Sequence, residues 1–353
     1  MSTDHPEDDK LDDKQSAQGA QRAQGGERSR RTFFKAAACV PCAVGAYLLY
    51  DELTEYDGPP RTVGAKAVPH ANPIKHESTD AEYCFFAVGD TGLASERRQA
   101  VIQQMQTQQE SRKPDSIVLV GDNFYDSGVQ SIDDRHWQMH FERPFSAARF
   151  PMPFYACLGN HDYRGNVGAQ LEYSRTHPRW NMPATYYSFV QRIDDQCDVH
   201  FIVLDTTPID EGGYSTDSQV RWLENELKRS TSQYKIVIGH HPLYTGGEHG
   251  RSQRNFKHLS RLFDQFQIDL YICGHDHDLQ LHDTGKGWLH LVSGAGSKLR
   301  SVNWVQTTLF AQAASGFAKV TLNADRLAVE MFSTEKLLYV HQQERKQAIK
   351  ESA

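Results

Sequence analysis

Five short apolar runs along the chain each end in glycine followed by polar side chains. They are F-F-A-V-G-D over 85–90, I-V-L-V-G-D-N-F-Y over 117–125, F-Y-A-C-L-G-N-H-D over 154–162, Y-K-I-V-I-G-H-H-P over 234–242 and Y-I-C-G-H-D-H-D over 271–278. Their length and their β-branched and aromatic content predict buried strands, and each glycine lets the backbone turn where the strand stops. The polar residues then fall on loops at the carboxyl ends of strands, where open α/β sheets gather their ligands. Loops far apart in sequence converge on one point in such a layout.

Between these runs the spacing turns helical. Val101, Ile102 and Met105 follow Ser95; Val220, Leu223 and Leu227 follow the candidate caps Asp217 and Ser218; Phe256, Leu259, Phe263 and Phe266 form a third stripe. Further strand-like runs lie at 200–204, 288–292, 318–322 and 327–332. Strands alternate with helices and are too many for one small sheet, so the fold class is α/β: two mixed β-sheets flanked by helices, a four-layer α/β/β/α sandwich. The domain that carries the site spans 81–335, followed by a charged C-terminal tail over 336–353, read as a solvated helix or frayed end.

The N-terminal part follows other rules. Residues 1–28 hold almost no large apolar side chain and are expected to be disordered. Residues 29–50 join Ser29-Arg30-Arg31-Thr32-Phe33-Phe34-Lys35 to an apolar stretch too short for a comfortable membrane span. The pattern resembles the twin-arginine export signal of bacteria, which implies a folded, exported protein at the periplasm or the outer membrane face, with the export machinery as a partner. Small side chains at Ala65 and Ala67 offer a cleavage site, and an uncleaved membrane anchor is the alternative. Residues 51–80, with Pro59, Pro60, Pro69 and Pro73, read as a linker.

Composition narrows the function classes. With 353 residues and 39% hydrophobic content the chain can bury a full core. A formal net charge of -7 provides no basic field of the kind duplex nucleic acid requires, so nucleic acid is not an expected partner. Of the six cysteines, Cys39 and Cys42 lie in the apolar N-terminal stretch and Cys84, Cys157 and Cys273 inside predicted strands. They read as buried free thiols rather than a disulfide framework, and Cys197 has no obvious partner.

The strand-end loops present Asp90, Asp122, Tyr125, Asn160, His240, His275 and His277. Carboxylate, amide oxygen, phenolate and imidazole suit hard or borderline metals, and no thiolate stands among them. Asp276 separates two histidines on one turn, a spacing suited to two adjacent ions that clamp the attacking and leaving oxygens at phosphorus.

The loop order G-D, G-D-x-x-Y, G-N-H-D, G-H-x-P and G-H-D-H resembles the calcineurin-like metallophosphoesterases, and Tyr125 narrows the resemblance to the purple acid phosphatases. It extends through Gly121 to Val129, Gly165-Asn166-Val167, Leu204-Asp205-Thr206, Glu248-His249-Gly250 and Ser293-Gly294-Ala295-Gly296, and looks most like the small tartrate-resistant branch. The short connection over 206–217 departs from animal members, which carry a longer, protease-sensitive loop there, so regulation by proteolysis is not carried over. The resemblance implies a metallophosphoesterase catalytic domain in which Asp90, Tyr125 and His277 bind a first metal, Asn160, His240 and His275 a second, and Asp122 bridges them. A phenol with an ordinary pKa of about 10 becomes a ligand in acid only on a strongly Lewis-acidic ion, so Fe(III) is expected first, with divalent iron, zinc or manganese beside it.

The activity implied is acid hydrolysis of small phosphomonoesters by a metal-held hydroxide. His161 would protonate the leaving group or hold a phosphate oxygen, Asp162 orient it, and His249 serve as a second active-site histidine. His241 reads as packing. Two alternatives stay open: a phosphodiesterase or nucleotide pyrophosphatase of the same superfamily, and an exported iron-binding or redox protein without turnover.

Overall fold

A computed structural model of the chain describes residues 62–63, 81–213 and 216–345. The segment expected to be disordered, the stretch that resembles an export signal and most of the expected linker lie outside the described residues, and so does the end of the tail.

Among the described residues two seven-stranded sheets carry the fold, beside one two-stranded pair. The first runs in the order Leu337–Glu344, Arg326–Ser333, Gly316–Leu322, Tyr83–Val88, Ser116–Leu119, Phe154–Ala156, Trp180–Asn181. The second runs Thr308–Gln312, Leu279–Asp283, Leu289–Ser293, Leu270–Cys273, Tyr234–Ile238, Asp198–Val203, Tyr187–Arg192. Both are mixed, as expected from the sequence: Tyr83–Val88, Ser116–Leu119 and Phe154–Ala156 pair in parallel, and so do Asp198–Val203, Tyr234–Ile238 and Leu270–Cys273. The strands that bear the five loops are therefore parallel neighbours, and parallel strands deliver their carboxyl ends to the same side.

The continuous apolar character of these runs has a direct cause in burial on both faces. Along the second sheet, Phe201, Val203, Ile236, Ile238 and Ile272 belong to the cluster shared with the first sheet, where Phe85 meets Phe201 edge-on with centroids 5.4 Å apart. The alternate residues Ile202, Leu204, Val237 and Tyr271 pack instead with Leu223, Leu227, Leu259 and Phe263 of two helices.

These helices form where the apolar stripes predicted them. Glu96–Ser111 begins at Ser95, whose hydroxyl accepts from the Arg98 N–H at 3.1 Å, and it buries Val101, Ile102 and Met105. Gln253–Phe266 is capped in the same way by Ser252, which accepts from Asn255 at 3.2 Å. The helix Thr216–Arg229 starts before its expected caps, with Asp217 inside the first turn, where a carboxylate complements the helix dipole. Among the described residues no helix is long and apolar enough to cross a membrane.

Two segments differ from expectation. The tail read as a solvated helix forms an edge strand, Leu337–Glu344, antiparallel to Arg326–Ser333. Leu337, Leu338 and Tyr339 pack on the core, and Tyr339 stacks on Phe310 at 5.1 Å. Within the linker, Thr62–Val63 pairs in parallel with Val302–Asn303.

Candidate metal centre

Each site loop inherits its position from a strand end, and three of the predicted ligands hold a backbone that L-residues rarely adopt. Asp90, Asp122 and His275 have φ of 57°, 51° and 68°. Such left-handed residues cost on the order of 1–3 kcal/mol each and persist where the surroundings over-determine them, as happens at active sites. Those surroundings are visible here. Asp90 N–H donates to the Gly121 carbonyl at 2.9 Å, and His275 N–H to Asp90 Oδ2 at 3.0 Å, so the first, second and fifth loops are laced together. Phe124, between the predicted ligands Asp122 and Tyr125, is wedged edge-on against Trp137 of a short π-helical turn at 4.9 Å. At Gly159 a side chain is excluded, because a Cβ there would lie 2.1 Å from Asp122 Oδ1.

All seven predicted ligands meet in one buried cluster. Tyr125 Oη lies 2.9 Å from Asp90 Oδ1, 2.8 Å from Asp122 Oδ2 and 3.2 Å from His277 Nε2, and His277 Nε2 is 3.4 Å from Asp90 Oδ1. On the other side, His240 Nε2 lies 3.1 Å from Asn160 Oδ1, 3.3 Å from His275 Nδ1 and 3.5 Å from Asp122 Oδ1. Asp122 touches Tyr125 through one oxygen and His240 through the other.

The donor set fits metal ions on chemical grounds. His240 Nδ1 is 2.9 Å from the Val120 carbonyl, which can only accept, so Nδ1 carries a proton and Nε2 is the ring atom that can offer a lone pair to a metal. That lone pair faces Asn160 Oδ1 and Asp122 Oδ1, two more acceptors. Acceptors turned on one another in a buried site are stabilised by a cation between them. Ligand atoms of Asp90, Asp122 and His240 all lie within 4.8 Å of one another.

The protonation states follow from the same crowding. Burial, with the Asp122 charge adding to it, pushes Asp90 up to about 8, and His240 offsets only part of this. Burial also acts on Asp122, but His240 and His161 outweigh it and hold that carboxyl down at about 2. Burial and the two carboxylates drive Tyr125 well above the phenolic range, and burial with four neighbouring histidines drives His275 well below the imidazole range. A multivalent cation reverses the first and third of these shifts.

The three residues expected to act beside the ligands occupy distinct places. His161 donates its N–H to Asp122 Oδ1 at 2.9 Å, its ring lies edge-on to Tyr125 at 4.4 Å, and its Nε2 is 3.9 Å from Asp122 Oδ2. Its Nδ1 is 2.9 Å from the Asp126 carbonyl. Asp162 accepts from Gly159 N–H at 2.9 Å, from Asn123 at 3.2 and 3.1 Å and from Gln170 at 3.0 Å, so these bonds tie the second loop to the third. His249 stacks on His275 with centroids 4.2 Å apart and is 5.9 Å from His277.

The roles of several residues that shape the site were not legible in the sequence. Asp276, read only as a spacer, is buried and accepts from Thr245 and from the His249 N–H at 3.0 Å, which fixes the loop that bears His249. Thr206 Oγ1 accepts from the N–H groups of His240 and His241 at 3.1 Å each and meets His241 Nδ1 at 2.8 Å. Lys298 lies over the Tyr125 ring. Its one sequence signal is a cation just after S-G-A-G-S.

Seven candidate donors at the strand ends of two mixed sheets fit a metal-dependent phosphoesterase, and the calcineurin-like phosphoesterase family model matches residues 85–279. The chain belongs to that family of phosphoester hydrolases. It is 36% identical over 199 residues to tartrate-resistant acid phosphatase type 5 of Oryctolagus cuniculus, covering 51% of this chain and 61% of the rabbit protein. To purple acid phosphatase 7 of Arabidopsis thaliana it is 32% identical over 248 residues, 64% of this chain and 74% of the plant protein. In fold it is similar to GAP50, the anchor in the inner membrane complex of Plasmodium, with a TM-score of 0.70 and 23% identity over 76% of this chain and 90% of that one.

Proposed function

We propose that the protein hydrolyses small phosphate monoesters in acid at a dinuclear centre of Fe(III) and a divalent ion, which is iron, zinc or manganese. Asp90, Tyr125 and His277 would hold the first ion, Asn160, His240 and His275 the second, and Asp122 would bridge. The observation that carries this reading is the buried phenol of Tyr125, turned on Asp90 at 2.9 Å, Asp122 at 2.8 Å and His277 at 3.2 Å. Such a phenol would lose its proton to solvent only where a strong Lewis acid takes that proton's place on the oxygen, which favours a ferric ion.

Bound there, the ions would polarise the phosphoryl oxygens and lower the pKa of the attacking water. The chain's own groups complete the chemistry. The Asp126 carbonyl fixes the proton on His161 Nδ1, which leaves Nε2 beside Asp122 to carry a second proton to the departing alkoxide. His249 and its Asp276-held loop sit at the rim over His275, placed to receive a phosphate oxygen.

Purified full-length protein, assayed for bound metals, visible absorption and pH-rate profiles on aryl monoesters and diesters, tests the reading. A visible phenolate-to-iron band, absent from Tyr125→Phe, is expected; a coloured Tyr125→Phe protein refutes the ligand assignment. Faster turnover of diesters would move the reading to a phosphodiesterase, and metal-loaded protein inert to all esters would move it to an iron-binding protein. The pattern over 29–35 supports export by the twin-arginine route. Replacing both Arg30 and Arg31 by Lys should leave the activity in the cytoplasm.

A further inference from the structure

The loop after Ser293 is fastened to the main chain of two ligands of the first group. Gly296 N–H donates to the Gly89 carbonyl at 3.2 Å, Ser297 Oγ donates to the Asp90 carbonyl, and Arg300 N–H donates to the His277 carbonyl at 2.9 Å. Ser95 Oγ adds a bond of 2.9 Å to the Ser297 carbonyl. Between these ties Lys298 sets its ammonium over the face of the Tyr125 ring, with Nζ 4.6 Å from the centroid. That distance is inside the range of a cation–π contact. Tyr125 is only 5% exposed and Lys298 is half-buried, so water screens the pair less than it would at an open surface.

We infer that Lys298 is a positioning residue that tunes the Tyr125 ligand electrostatically and so sets the colour and the reduction potential of the ion that Tyr125 holds. The inference rests on the tyrosinate reading proposed above. A positive charge against the ring stabilises negative charge spread over a phenolate. Because the ammonium rests on the ring itself, it lowers the energy of the phenolate electrons more than that of the ion beyond the oxygen. Charge transfer from phenolate to ion then requires more energy, and the band lies at shorter wavelength. Less electron density donated to the ion, together with one more positive charge nearby, favours its reduced form. The two effects have fixed signs and a common origin.

The test uses full-length, metal-loaded protein with Lys298→Met and Lys298→Arg. The Met variant is expected to retain its iron and its thermal midpoint while its visible band moves to longer wavelength and its reduction potential falls. The Arg variant should return both toward the parent values. A Met variant with full iron content and an unchanged band and potential overturns the inference. Should the Met variant lose iron, Lys298→Gln takes its place, and the same two readouts decide. Parent protein that binds iron without any visible band overturns the tyrosinate reading and this inference together; a parent band that does not respond to the substitutions overturns this inference alone.

Discussion

At the scale of single residues, His161 does two jobs that are separable. Its N–H steadies Asp122 Oδ1, and its ring stands edge-on to Tyr125 with Nε2 toward Asp122. Only the ring is lost in His161→Ala, so metal content should persist while turnover falls. The loss is expected to be roughly 10²–10⁴-fold for alkyl phosphates, whose leaving groups need a proton, and far smaller for nitrophenyl phosphate. Equal losses on both substrates would remove His161 from the acid role. Asp122→Asn should be more severe: one substitution weakens contacts to both ligand groups, and elemental analysis is expected to show loss of both ions rather than one.

At the scale of the elements, the loops are held by space as much as by bonds. Gly159→Ala would press a methyl group into Asp122, and overpacking of this kind costs about 1–3 kcal/mol. Metal binding and thermal midpoint are both expected to fall. Gly250→Ala provides the contrast, since its φ of 75° is strained for alanine but nothing lies within 4 Å of the added carbon. It should reduce stability by about the 1–2 kcal/mol of left-handed strain, seen as a lower midpoint, and leave metal content intact.

The site strands were legible because burial on both faces made them uninterrupted apolar runs ending in glycine. Other strands were hidden by what they bury. Leu279–Asp283 carries Gln280 and His282 inward, where the Gln280 carboxamide oxygen accepts from Gly246 N–H at 2.8 Å and meets His282 Nε2 at 3.0 Å. A buried polar network looks like a loop when only hydropathy is read. Leu337–Glu344 was missed for the opposite reason: as an edge strand it exposes Gln342 and Glu344, so its composition resembles a tail. Of the site, the seven residues that the structure brings into one cluster announced themselves by type and spacing. Asp276, Thr206 and Lys298 did not, because their roles exist only through contacts between distant loops.

At the scale of the whole molecule, buried ionisable groups set a pH dependence for the metal-free protein. Burial raises Asp162 and Asp205 to about 7 and Asp90 to about 8, so their stabilising share is complete below the unfolded value of 3.8 and is lost as pH rises through 7–8. Burial lowers His140, His241 and His282 to about 4, so their share is present above 6.5 and is lost as pH falls toward 4. Between about 4 and 6.5 the two sets oppose each other. Above 6.5 only the carboxyls act, and the thermal midpoint of metal-free protein should fall from pH 6.5 to 8.5. Asp205→Asn should flatten that fall, and a midpoint that rises over this interval would contradict the assignment.

The predicted ligands are divided between the two sheets: Asp90, Asp122, Tyr125 and Asn160 follow strands of the first, and His240, His275 and His277 follow strands of the second. Bound ions would therefore act as rivets through the mouth of the sandwich, joining loops that the chain itself connects only through long detours. Chelation should loosen more than the pocket. Amide hydrogens at the carboxyl ends of Tyr83–Val88, Ser116–Leu119, Tyr234–Ile238 and Leu270–Cys273 should exchange faster once the ions are removed, while the outer strand Leu337–Glu344 keeps its rate. A protein built in this way would register the loss of its metals as a parting of its two halves at one end.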